Sequence, residues 1–313
     1  MRDVILKFPD QIKAGLEAAK DFKLEKEYRR VILCGMGGSI IPAEIFVLFA
    51  GHNHLDTHYE IWKDYDIPTR VSKDDLIVCI SWSGTTEETI SSCKAAISKG
   101  LSVVVITKGG ELGDLVKQKN LPHIILPPDD IPPRFATGYM TAALFSALGY
   151  DNELDVKLRP EDLEHEGQKL AQKINIKTPL LYSSFAWRKL PAFWKILFNE
   201  NSKIHAFWNT FPALTHNELA GFVGTDRNFF PIIFRESKTD LRIDNNFKAA
   251  IAIFEKVGYN YSIVNLSEGN LLETVLNNYL LGLWASYYLA QNLGVNPEDI
   301  SLIEDFKRLK KDL

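Results

Sequence analysis

The stretch 81–88, Ser-Trp-Ser-Gly-Thr-Thr-Glu-Glu, constrains this chain more than any other. It follows a short apolar run, 76–80, and precedes a helical pattern over 89–99. Its first six residues hold four hydroxyl side chains and a glycine. A strand–turn–helix junction of that makeup aims hydroxyls and backbone N–H groups at one point before a helix N-terminus. Such a point is an anion site, most often a phosphate site. Thr85 and Glu88 also fit a capping box, which would account for Thr85 but not for Ser81 and Ser83 on the strand side.

The surrounding pattern repeats the same alternation. After a leading helix over 10–22, the short segments 30–34, 59–62, 76–80, 101–106 and 124–126 read as strands. Helical segments at 40–49, 89–99 and 134–148 lie between or after them. Strands and helices in alternation predict a parallel sheet covered on both faces. Composition turns polar and acidic over 149–160, which marks a linker. Helix 161–174, strand 180–183, helix 187–199 and strand 204–208 follow, then a short helix opening at Thr215-His216-Asn217-Glu218. Strand 230–234, helix 246–257, strand 261–264, a long helix 271–293 and a charged helix 297–311 complete the pattern. The expected fold class is α/β with two lobes, 1–152 and 153–313, each a three-layer αβα sandwich. The two halves show no residue-level repeat, so their likeness is one of architecture.

Composition excludes several classes. The 313 residues are 46% hydrophobic and 24% charged, as in a globular protein of one or two domains. A net charge of −4 offers no basic surface for nucleic acid. Cys34, Cys79 and Cys93 are odd in number and lack metal-ligand spacing. Cys34 and Cys79 fall in strand-like runs and read as buried thiols, which suits a reducing compartment. Residues 1–10 lack the apolar core of a signal peptide, and 271–293 contains Glu273, Asn277, Asn278 and Gln291, so it reads as a buried helix and not a membrane span. These features predict a cytoplasmic protein with no membrane partner. His52, His54 and His58 lie in a loop with no cysteine beside them and read as polar loop residues, so no metal is expected.

A second turn, Gly35-Met36-Gly37-Gly38-Ser39, joins strand 30–34 to helix 40–49. The dinucleotide fingerprint needs a third glycine where Ile40 stands, and no Gly-Lys-Ser/Thr follows to make a Walker loop. Both turns would lie at the carboxyl edge of one parallel sheet, where open α/β folds bind ligands. Gly37, Gly38, Ser39, Ser81, Ser83 and Thr86 would then form a neutral, multi-donor phosphate cradle. Neither loop holds a lysine, which favours a sugar phosphate over a triphosphate.

These turns, with Lys63-Asp64-Tyr65, Pro133-Arg134 and Phe198-Asn199-Glu200-Asn201, resemble the bifunctional phosphoglucose/phosphomannose isomerase family of the sugar isomerase (SIS) superfamily. The motifs run in order from about Gly35 to Lys307. The serine-rich turn alone marks a SIS domain, which also occurs in sugar-phosphate sensors and in aminosugar and arabinose phosphate isomerases. The later motifs are more particular to the hexose enzyme. The resemblance implies carbohydrate metabolism, hexose 6-phosphate substrates, no cofactor and a homodimer.

Aldose–ketose isomerisation needs a base that carries a proton between C1 and C2, a ring-opening group and a cation for the enediolate. Taken alone, Glu200 is a solvated carboxylate at a helix end, and His216 a capping or surface histidine beside a Thr215–Glu218 capping box. Arg134 sits where a cation opposes a helix dipole, which argues against a purely structural role. By resemblance, Glu200 transfers the proton, with Glu218 second in line. His216 opens the ring from the neighbouring subunit, Arg134 stabilises the enediolate oxygens, and Lys307, ten residues after Asn296-Pro297, is the active-site lysine. Relatives place a small hydroxyl residue shortly after Asn-Pro to accept mannose 6-phosphate; here Ile300 falls at that spacing, with Ser301 beside it. Trp187, Phe193 and Trp194 read as core or interface packing.

Overall fold

A computed structural model describes residues 1–224 and 227–311. Residues 225–226 and 312–313 of the expected second lobe lie outside the described residues. The chain forms two compact units. One comprises Leu6–Arg159 with Gly269–Leu276; the other comprises Met1–Ile5, Pro160–Glu268 and Asn277–Leu313. Each is an α/β sandwich built on a parallel sheet.

In the first unit the strands are β1 (Arg30–Cys34), β2 (His58–Trp62), β3 (Asp75–Ser81), β4 (Ser102–Thr107) and β5 (His123–Ile125). They lie in the order β2-β1-β3-β4-β5, all parallel. Every residue of β3 is buried, as expected of a strand run of Leu, Ile and Val covered on both faces. The helices Ile41–His52 and Thr137–Ala147 are apolar nearly all round, and their Phe46, Phe49 and Phe145 rings pack edge-on or tilted at centroid distances of 4.9–6.0 Å. On the other face Cys34, Cys79 and Cys93 are buried in one cluster with Ile32, Ile77 and Val105. The strand order reverses between β1 and β3, which is where such sheets open a ligand crevice.

The second unit carries β6 (Thr178–Ser184), β7 (Phe207–Phe211), β8 (Phe229–Glu236) and β9 (Ser262–Leu266), ordered β7-β6-β8-β9 and parallel. Trp194 is buried, stands edge-on to Phe234 at 4.8 Å and donates its indole N–H to the Asn278 carbonyl at 2.9 Å. Trp187 and Phe193 are buried as well, so all three aromatics belong to the core. One expected strand is displaced: β7 begins at Phe207, not at 204. Asn199 Oδ1 accepts from the Ala206 N–H at 3.0 Å, and Lys203 adopts a left-handed φ of 57°, so 203–206 is taken up in leaving the preceding helix.

Candidate active site

The two expected turns follow β1 and β3, the strands that flank the switch point. Gly35-Met36 leads into a single 3-10 turn, Gly37–Ile40, and then into the helix Ile41–His52. The serine-rich turn leads into the helix Glu87–Ser98, whose N-cap is Thr86. That helix has no side-chain cap, which corrects the expected Thr85–Glu88 capping box. The hydroxyls are bonded among themselves instead. Ser81 Oγ shares a hydrogen bond with Thr86 Oγ1 at 2.9 Å and accepts from the Gly84 N–H at 3.1 Å. Ser83 Oγ accepts from both the N–H and the hydroxyl of Thr85, at 3.3 and 3.0 Å.

Ser39 ties the two turns together: its Oγ accepts from the Trp82 N–H at 3.0 Å. A hydroxyl that accepts still has its own O–H to donate. Ser39 and Ser83 each accept in these bonds and keep an O–H donor. Gly84 adopts a φ of +69°, and a Cβ there would lie 1.7 Å from the Gly109 carbonyl oxygen, so only glycine fits.

Arg134 belongs to the same unit. It lies in the 3-10 turn Pro133–Phe135, ahead of the helix Thr137–Ala147, and not in that helix's first turn. It thus stands two residues ahead of that helix's N-cap, Ala136. The side chain is fully buried, unlike a surface arginine, with its guanidinium 4.7 Å from the Phe135 ring centroid. The turn is anchored by Gln11, which donates to the Phe135 carbonyl at 2.8 Å and accepts from the Gly138 N–H at 3.1 Å. Gly38 lies directly against it: a Cβ on Gly38 would come within 2.3 Å of the Arg134 backbone nitrogen. The phosphate-type turn and the arginine are thus in backbone contact. Nearby, Lys63 at the end of β2 pairs with the buried carboxylate of Glu44.

Glu200, His216 and Lys307 belong to the second unit. Glu200 lies half-buried inside the last turn of the helix Lys189–Asn201, one residue before its end. Its neighbours are pinned. Asn201 is buried and donates to Ser286 Oγ at 2.9 Å, and Ser202 Oγ donates to the Ser286 carbonyl at 2.8 Å. These bonds hold the end of the helix on which Glu200 stands. His216 is exposed at the end of the 3-10 turn Ala213–His216. The expected Thr215–Glu218 capping box is absent, because Thr215 donates to the Pro212 carbonyl at 2.7 Å. Glu218 instead accepts from Tyr182 Oη at 2.5 Å and Asn209 Nδ2 at 2.7 Å. Burial and the Glu218 carboxylate push the Tyr182 phenol well above its ordinary range. Glu218 thus has a structural task, which weakens it as an alternative base.

Lys307 is exposed on the helix Ser301–Lys311, whose Leu302, Phe306 and Leu309 are also exposed. Ser301 spends its hydroxyl on Asp299 Oδ2 at 3.1 Å. Among the described residues no group of three or more histidines, cysteines or carboxylates is arranged to hold a metal ion, and His52 Nδ1 bonds instead to the Leu48 carbonyl oxygen at 3.0 Å. No helix among them is long and apolar enough to cross a membrane.

The model of the bacterial phospho-glucose isomerase C-terminal SIS domain matches residues 163–309. Over 97% of its length the chain is 32% identical to the bifunctional phosphoglucose/phosphomannose isomerase of Thermoplasma volcanium, covering 97% of that protein. The chain belongs to the bifunctional phosphoglucose/phosphomannose isomerase family. The family's Aquifex aeolicus member is 31% identical, with 91% of each chain covered. In fold, the chain resembles a hypothetical protein from Thermus thermophilus at a TM-score of 0.79, with 15% identity and coverage of 99% of this chain and 90% of that one. Within this phosphoglucose/phosphomannose isomerase framework, sequence reasoning missed Trp82, Gln11 and Glu44. An indole between two serines was the one available sign of the first.

Proposed function

We propose that the chain interconverts glucose 6-phosphate and fructose 6-phosphate, and mannose 6-phosphate less readily, through a cis-enediol(ate). The observation that carries this reading is the neutral hydroxyl cradle at a sheet switch point in backbone contact with a buried arginine. Ser39, Ser81, Ser83, Thr86 and the amides of Gly37 and Gly38 hold the phosphate. Arg134 offsets charge on the enediolate oxygens, in the manner of a fixed electrostatic clamp. Glu200 takes the C2 proton of the open-chain aldose and returns it at C1, while a proton moves from O2 to O1. His216, supplied by a second copy of the chain, opens the ring together with Lys307. The occupied hydroxyl of Ser301 and the bulk of Ile300 support weak use of mannose 6-phosphate. Three unpaired buried thiols support a cytoplasmic location, and the exposed Leu302, Phe306 and Leu309 support a homodimer.

The test is to give EDTA-treated protein fructose 6-phosphate and assay both aldose phosphates, with glucosamine 6-phosphate and arabinose 5-phosphate as comparison substrates. Turnover to glucose 6-phosphate is expected; no turnover of any hexose phosphate refutes the proposal. Glu200→Gln should abolish isomerisation and leave inhibition by inorganic phosphate unchanged.

A further inference from the structure

Trp82 stands in the middle of the serine-rich turn, yet its side chain is only 1% exposed. Its backbone and its ring point to different parts of the candidate site. The backbone N–H donates to Ser39 Oγ at 3.0 Å and so joins the two phosphate-type turns. The indole N–H donates to the Ile131 carbonyl at 2.9 Å, three residues before Arg134. One face of the ring stacks on Tyr139 at 5.5 Å and 22°. The Lys108 ammonium lies 5.3 Å from the ring centroid and also donates to the Asp129 carbonyl at 2.9 Å. Tyr139 in turn donates its hydroxyl to the Asp129 carboxylate. Burial and that carboxylate push the Tyr139 phenol above its ordinary range.

The segment 127–136 has no regular structure apart from the short turn Pro133–Phe135. It is nevertheless held at Asp129, through Lys108 and Tyr139, and at Ile131 by the indole. Three bonded or stacked partners, Ile131, Tyr139 and Lys108, therefore converge on one indole whose own backbone belongs to the cradle. We propose that Trp82 is a positioning residue: it fixes the loop bearing Arg134 in register with the phosphate cradle, and acts on catalysis only through Arg134. This rests on the role proposed above for Arg134. A phenylalanine at 82 keeps the stacked ring and removes the one N–H that reaches Ile131.

The experiment is a double-mutant cycle of Trp82→Phe and Arg134→Ala, with kcat and KM for fructose 6-phosphate and Ki for inorganic phosphate. Trp82→Phe should lower kcat about tenfold, because a misplaced cation loses transition-state contact, while KM and the phosphate Ki stay within about twofold. In the Arg134→Ala background, itself at least about a hundredfold slower, Trp82→Phe should have no further effect. Additive losses, an unchanged kcat, or a rise in the phosphate Ki would overturn the inference and leave the Arg134 reading standing. Wild-type kcat in Arg134→Ala would overturn the Arg134 reading itself. Tyr139→Phe keeps the stack and removes the bond to the Asp129 carboxylate; it should show the same split between kcat and Ki, so the outcome does not depend on the folding of one variant.

Discussion

Adding one methyl group at Gly38 probes the contact between cradle and arginine directly. A Cβ there would meet the Arg134 nitrogen at 2.3 Å, its Cα at 2.7 Å and its Cβ at 2.9 Å. Ordinary contact begins near 3.4 Å, so one side must give by about 1.1 Å. Neither side yields cheaply. Pro132 and Pro133 have fixed φ angles, the Phe135 N–H bonds to the Pro132 carbonyl at 2.8 Å, and Gln11 holds the Phe135 carbonyl. Gly38 itself has no left-handed φ, so alanine meets a steric barrier and no backbone strain.

Overpacking of this kind costs about 1–3 kcal/mol of stability. A displacement near 1 Å between groups that must act together lowers turnover on the order of a hundredfold. The assay is kcat and KM for fructose 6-phosphate beside a thermal melt. Gly51→Ala, where a Cβ meets nothing within 4 Å, serves as the control and should match or exceed wild-type stability. Gly38→Ala with wild-type kcat and an unchanged melt would refute the claim that this contact sets the geometry.

Two further outcomes follow from the second unit. Glu218→Gln should cost about 1–3 kcal/mol, since one of its two donors, Tyr182 Oη or Asn209 Nδ2, loses its acceptor, and should leave turnover near wild type. A folded Glu218→Gln protein without turnover would move the proton-carrier role from Glu200 to Glu218. The Arg242 guanidinium, and then its backbone N–H, hold the Asp240 carboxyl at about 2, below its ordinary 3.8. A depressed carboxyl stabilises the folded state above its ordinary value and loses that effect as pH falls through the folded one. Asp240→Ala should therefore melt below wild type at pH 7, with the gap closing as pH falls from about 4 to about 2. A gap of constant size across that range would contradict the assignment.

Much of the fold was legible because the central strands β1, β3 and β4 are apolar runs bounded by turns, and a strand buried on both faces needs little else. The hydroxyl-rich turn was legible because Ser81 and Ser83 exceed what a helix start requires. Three things were not. The run 204–208 signalled burial, but burial does not say which residues pair; Asn199 and the left-handed Lys203 shift pairing to Phe207. The capping boxes at 85–88 and 215–218 were spacing matches whose hydroxyls had stronger partners, Ser83 for Thr85 and the Pro212 carbonyl for Thr215. The turn that bears the buried Arg134 is held by Gln11, more than a hundred residues earlier in the chain, and no local pattern carries that contact.

The first residues of the chain have a consequence for synthesis. Met1–Ile5 belong to the unit that Pro160–Glu268 builds, and Arg2 makes a two-pronged ion pair at 2.8 Å with Glu164, 162 residues later. Tyr288 donates to the same carboxylate at 2.6 Å. At roughly 5–20 residues per second, about ten to thirty seconds separate the emergence of Arg2 from that of its partner. The residues Leu6–Arg159 leave the ribosome within that interval. The N-terminal segment is therefore made first and seated late, once Glu164 and the residues around it have followed it out.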